Sequence, residues 1–205
     1  DLCLDYPPVN AFNSLGWNDL SVELNRISED TSVRVVILRA KGKGFCAGVD
    51  IKELAHDPSK IIAVNKGCYE SFKAVRACNV PVIAAVNGFC LGGGVGLAGA
   101  SDIVIASEDA YFGLPEVDRG ALGAASHLAR MFPLQHVRRM MFTAEPITAL
   151  EAYRLGALEE VVTKNDLFSS ASKLASKIAE KSPLAIRLAK ESLNGIEPHD
   201  VDKSY

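Results

Sequence analysis

The strongest constraint on the fold is a recurring order of chain. A short β-branched run is followed by a glycine-bearing turn and then by a helical pattern. Val33–Arg39 (VRVVILR) reads as a strand, and Val80–Val86 and Asp102–Ala106 read as further buried strands. Between them Ile61, Val64, Cys68, Phe72 and Val75 fall at helical spacing, with Asp57 as N-cap and Pro58 at the first helical position. Strand, glycine turn and helix occur at Val33–Leu54 and echo at Val80–Ala100. Strands joined by crossover helices imply an α/β core with parallel pairing and right-handed connections.

The last third reads as helical. Thr148 and Glu151 form a capping box whose helix Gly156 can close, Ala171, Leu174 and Ile178 mark a second helix, and Ser182-Pro183 opens a third. Two regions are expected: a core over residues 1–145 that carries the site, and a C-terminal helical region over 146–205. The chain starts abruptly at Asp1 and stops at Tyr205, so both ends are expected to be trimmed.

Composition excludes several classes. Of 205 residues, 48% are apolar and 23% charged, which rules out a disordered or collagen-like chain. The net charge of −3 and the absence of a basic stripe argue against a nucleic-acid partner. No apolar run reaches membrane-spanning length, and no signal peptide opens the chain. Five cysteines without a CxxC pair suit reduced thiols, so a cytoplasmic location is expected. Four scattered histidines give no zinc spacing, so no metal is expected.

Two turns are placed for chemistry: Phe45–Lys52 (FCAGVDIK) and Asn87–Gly96 (NGFCLGGGVG). Glycine there permits tight turns and lets a ligand approach bare N–H groups at a helix start. Two such amides converging on one oxygen would make an oxyanion hole. Taken singly, each turn reads first as a packing device. A P-loop is excluded because no Gly-Lys-Ser/Thr follows, and Gly-x-Gly-x-x-Gly does not fit the first strand. A third segment, Phe112–Gly120 (FGLPEVDRG), presents Glu116 behind the rigid Pro115; apolar surroundings there would raise its pKa, but taken alone it reads first as a solvated loop glutamate. Cys46 and Cys90 lie inside both glycine turns without a partnering base and read as small buried hydrophobes. Trp17 and the other aromatics read as core or interface.

Taken together these segments resemble the crotonase superfamily, the enoyl-CoA hydratase/isomerase family. The likeness starts at Tyr6–Ala11 (YPPVNA), runs through FCAGVDIKEL and VPVIAAVNGFCLGGGVGLAGASDIVIASEDAYFGLPE, and ends at Thr148–Val162. It implies a ClpP-like spiral of ββα units with C-terminal helices that pack a homotrimer, or a hexamer as a dimer of trimers. It implies acyl-CoA substrates and no cofactor beyond the coenzyme A of the substrate itself. By the same likeness the backbone amides of Val49 and Gly93 form the oxyanion hole and Glu116 is the acid/base. Ala47, Asp50, Ile51 and Lys52 would line the CoA and adenine pocket, with Ala11 and Phe12 on the thioester side and Gly92, Gly96 and Pro115 as further substrate- or CoA-binding residues. Arg119 would meet a polar acyl group, while Asp118 and His127 are weaker candidates, His127 reading first as a packing residue.

One departure bears on mechanism. Family hydratases carry a first glutamate three residues after the middle glycine, and here that position is Gly96. The resemblance then implies space beside Gly96 for a bulkier acyl group or a water. It favours single-acid chemistry, either a proton shift by an isomerase or hydrolysis of a β-diketone C–C bond, over simple hydration. A finer likeness in DYPPVNA, GVDIKE and FGLPEVDRGALGAASHLARMFP is to actinobacterial crotonase-type hydrolases that open the last rings of steroid-derived indane CoA esters. A non-catalytic acyl-CoA-binding relative is the reading from another class.

Overall fold

The β-branched runs form a parallel sheet, and each is followed by a much shorter strand before its helix. In the computed structural model, which describes residues 1–197, the chain opens with β1 (Leu2–Leu4), β2 (Ala11–Phe12) and α1 (Ser14–Glu29). The same order returns as β3 (Val36–Ala40), β4 (Gly48–Val49) and the helices α2 (Ile51–His56) and α3 (Ile61–Ala77). A third round is β5 (Val82–Val86), β6 (Phe89–Leu91) and α4 (Gly93–Ala100). The fourth is β7 (Ile103–Ser107), β8 (Tyr111–Gly113), a 3-10 turn at Pro115–Arg119, and α5 (Ala125–Met131). Beyond it come α6 (Leu134–Thr143), β9 (Ile147–Thr148), α7 (Ala149–Arg154), β10 (Glu160–Val162), α8 (Leu167–Ala179) and α9 (Pro183–Ile196). The echo seen twice in the sequence is thus a ββα unit made four times, the α/β spiral that the resemblance implies.

The long strands pair in parallel in the order β1-β3-β5-β7-β10. Their side chains divide by the two-residue period of a strand. Val36, Leu38, Val82, Ala84, Val86, Val104 and Ala106 face the main core with α1, α3 and α4. Ile37, Ile83, Ala85 and Ile105 face α8, where Leu167 and Ala171 cover them. Both faces are buried, which is why these strands read as continuous apolar runs. The short strands pair separately, β2 with β4 and β6 with β8, and a single bridge between Cys46 and Cys90 joins the two pairs.

Local signals explain most element ends. Asp57 caps the 3-10 turn Pro58–Lys60 by accepting from Ser59 N, and that turn runs directly into α3. Thr148 accepts from Glu151 N at the start of α7, and Gly156 follows with φ +79°. Three strand starts shift. β5 pairs only from Val82, with Val80 and Pro81 before it. Val33 is spent in a turn onto Asp30 O, and β3 pairing begins only at Val36 N, which donates to Pro81 O at 2.9 Å. Asp102 lies outside β7, where its carboxylate accepts from Val82 N and Lys190 Nζ at 2.7 Å each. The C-terminal stretch is also not wholly helical. β9 pairs antiparallel with β8, and β10 adds a parallel edge to the main sheet. Among the described residues no helix is long and apolar enough to cross a membrane.

Candidate active site

The two glycine turns lie against each other. Phe45 N and Cys46 N donate to Phe89 O at 2.9 and 3.3 Å, and Leu91 N donates to Cys46 O at 2.9 Å. Contact is so close that a methyl group at Gly48 would come within 2.9 Å of Gly93 N. Gly48 (φ +90°) and Gly92 (φ +55°) hold left-handed backbone that other residues rarely adopt.

The amides are disposed accordingly. Asp50 N donates to Phe12 O at 2.8 Å, towards β2. Val49 ends β4 directly after Gly48, where an added Cβ would lie 2.9 Å from Gly93 N, so the Val49 backbone adjoins the 92–93 turn. Gly93 is the first residue of α4, after Gly92 as N-cap, so its N–H has no intrahelical acceptor.

Glu116 approaches this pair of turns from the 3-10 turn after β8. Its Oε1 lies where a methyl on Gly92 would come within 2.6 Å, and it also fills the space beside Gly123. Its Oε2 is buried without a hydrogen-bond partner among the described residues. Burial pushes the carboxyl above its ordinary value, since the charged form loses water and gains little in return.

An aromatic wall runs beneath the glycines. Ring centroids are spaced 5.1 Å for Tyr6–Phe12, 5.3 Å for Phe12–Trp17, 5.7 Å for Trp17–Phe72 and 4.9 Å for Phe72–His127. The space expected beside Gly96 is not there. A methyl at that position would sit 2.5 Å from two ring carbons of Phe72, so the missing side chain is replaced by the phenyl ring of α3 and not by a gap. His127 is buried in α5, and burial together with the Arg130 and Arg76 cations lowers its pKa to about 4, so it is neutral near pH 7.

The candidate residues do not all share one place. Ala11 and Phe12 in β2, Ala47, Val49, Gly92, Gly93 and Glu116 adjoin the two turns, with Pro115 opening the 3-10 turn. Asp50 caps α2 by accepting from Lys52 N, and Ile51 and Lys52 stand exposed at the start of that helix. Asp118 and Arg119 are exposed on the Glu116 turn and make no described hydrogen bond or ion pair. Burial raises the Cys46 thiol to about 12 and raises Cys90 as well, in keeping with small apolar residues. Three contributors escaped the sequence reading. Trp17 and Phe72 carry only a core signal, whereas Asn10 lay in a quoted motif. Asn10 accepts from Tyr6 N and donates to Lys41 O and Gly44 O, tying the loop before β2 to the first glycine turn.

Comparison with known proteins places the chain in a family. Residues 2–200 match the family described as enoyl-CoA hydratase/isomerase. The chain is 50% identical over 204 residues to a Rhodococcus jostii protein named (7aS)-7a-methyl-1,5-dioxo-2,3,5,6,7,7a-hexahydro-1H-indene-carboxyl-CoA hydrolase, covering 98% of this chain and 79% of that protein. A Mycobacterium tuberculosis protein of the same name is also 50% identical, with 83% of its length covered. Among solved structures, an enoyl-CoA hydratase from Mycobacterium smegmatis superposes with a TM-score of 0.90 at 28% identity, covering 99% of this chain and 82% of that one. One from Bacillus anthracis gives 0.87 at 33% identity, covering 95% and 79%. On motif order, fold and family match together, the chain is a member of the enoyl-CoA hydratase/isomerase family.

Proposed function

We propose that this acyl-CoA enzyme hydrolyses a C–C bond in a bulky, ring-bearing β-diketone CoA thioester. The observation that carries the reading is the pairing of one half-buried carboxylate, Glu116, with a Gly96 whose side-chain space is taken by Phe72. Hydration uses two carboxylates, and the second has no place to stand here. The names of the Rhodococcus and Mycobacterium relatives supply the substrate class.

In this mechanism Val49 N–H and Gly93 N–H receive the thioester oxygen. Glu116 takes a proton from water as the water oxygen bonds to the ring ketone carbon. The bond between that carbon and the thioester α-carbon then breaks, and its electron pair becomes the thioester enolate held by the two amides. Returning the proton to the α-carbon leaves a carboxylic acid and a CoA thioester. Both amides are set before charge develops, so they favour the enolate over the ground-state carbonyl. A carboxyl with a raised pKa suits a group that both takes and gives a proton.

Ala47, Asp50, Ile51 and Lys52 would carry the coenzyme A portion, supported by the exposure of Ile51 and Lys52 just after Val49. No metal or redox group enters the scheme. Assembly as a homotrimer, or a dimer of such trimers, is supported by Leu184, Leu188 and Leu193, which α9 leaves exposed. A lone half-buried acid also serves a 1,3-proton shift, so isomerase activity is the second reading.

The deciding experiment offers the purified protein a dioxo-bicyclic CoA ester, a 3-enoyl-CoA and crotonyl-CoA, with products read by mass. Gain of one water with ring opening of the first supports the proposal. Efficient hydration of crotonyl-CoA, or binding of all three without turnover, overturns it.

A further inference from the structure

Trp17 is the only tryptophan in the chain, and its indole has an unanswered polar group. The ring is fully buried in the wall beneath the second glycine turn. A methyl at Gly93 would come 2.5 Å from Cζ2 and 2.7 Å from Cη2, so this edge of the indole lies against the glycine. Cζ2 is bonded to the carbon that carries Nε1, which puts the indole N–H beside that same edge. Nε1 has no hydrogen-bond partner among the described residues.

The ring is held there from behind. Ser71 Oγ donates to Trp17 O at 2.8 Å, and a methyl on Gly67 would come 2.7 Å from Trp17 Cβ, so α1 and α3 meet closely at this residue. A buried donor without an acceptor is costly, and phenylalanine would fill most of this volume without that cost. Glu116 Oε2 is in the same position on the other flank, buried and unpaired, with Oε1 against Gly92. The consecutive glycines 92 and 93 are thus bordered by one bare acceptor and one bare donor.

We infer that Trp17 Nε1–H finds its partner in the substrate: it donates to a ketone oxygen of the acyl group and makes the enzyme selective for acyl-CoA thioesters that carry a second carbonyl. The inference rests on the C–C hydrolase reading and adds to it the residue that chooses the ketone. A ring without the ketone leaves the buried N–H unpaired, and sites built around such a donor discriminate strongly.

The single indole gives a direct readout. In the 15N-labelled Glu116→Gln chain, expected to hold ligand while turning it over about 10²- to 10⁴-fold more slowly, the one indole N–H resonance is followed on adding the dioxo-bicyclic CoA ester or its counterpart with a hydrocarbon ring. The keto ester is expected to move the proton signal downfield and the hydrocarbon ester to leave it in place. Trp17→Phe is expected to erase about tenfold of the affinity ratio between the two esters. An indole signal unmoved by a keto ester that the native chain does turn over overturns the inference alone. The donor would then be spent inside the wall, on the Phe72 ring or an enclosed water. If no keto ester is bound or turned over, the hydrolase reading falls and this inference falls with it. Should Trp17→Phe fail to fold, the indole signal decides by itself.

Discussion

The ring of Phe72 stands where a side chain on residue 96 would have to begin. Phe72 is itself pinned between Trp17 and His127, so it has no free direction in which to yield. Gly96 and Phe72 are one packing unit, and the chemistry available at position 96 is decided on α3.

Reintroducing the hydratase carboxylate therefore fails as a single change. Gly96→Glu is expected to overpack the wall, costing about 1–3 kcal/mol, and to add no crotonyl-CoA hydration. Gly96→Glu with Phe72→Leu should recover part of the stability. Thermal unfolding and the loss of enoyl absorbance report the two effects. A stable, hydrating Gly96→Glu chain would contradict the packing described.

Glu116→Gln tests the acid/base and its burial together. Turnover should fall by about 10²- to 10⁴-fold while CoA-ester affinity changes little. Stability should move the other way. Because the folded state raises this pKa above 4.5, the stabilisation due to the proton is present below 4.5 and lost as pH rises through the folded value. The variant, which never ionises, should then gain stability relative to the native chain as pH rises to neutrality. Urea midpoints across that range check the sign.

His127 gives the opposite slope. Its pKa falls from 6.5 to about 4, so on acidification the unfolded chain takes up a proton before the folded one does. Stability should decline across that window by up to about 3 kcal/mol. His127→Gln should flatten this part of the profile, and an unchanged profile would remove His127 as its source.

The C-terminal helix makes a further prediction. Lys190 is buried, donates to Asp102 Oδ2 at 2.7 Å and to Val80 O at 3.1 Å, and fixes α9 to the segments just before β5 and β7. Lys190→Met should cost about 3 kcal/mol because Asp102 loses its partner. Adding Asp102→Asn should cost less than the sum of the single changes, which a double-mutant cycle measures.

What could be read in advance followed from residues whose role is local. Asp57 and Thr148 announce helix starts, and the glycines at 48 and 92–94 announce turns, because caps and left-handed backbone depend on a few neighbours. The strands β2, β4, β6 and β8 have two or three residues each, too few to show a period, so only two of four repeats were visible. The ring behind Gly96 was hidden for another reason: it arises where α3 crosses α4, and no spacing in the sequence records that crossing. Likewise the exposure of Asp118 and Arg119 depends on how a single 3-10 turn is rotated.

The two glycine turns are stitched together by carbonyls and amides, with Cys46 and Cys90 meeting at one backbone bridge. Their seam is therefore largely indifferent to which side chains decorate its rim. Descendants of such a scaffold can exchange pocket linings, and with them the molecules they accept, while the seam underneath is inherited intact.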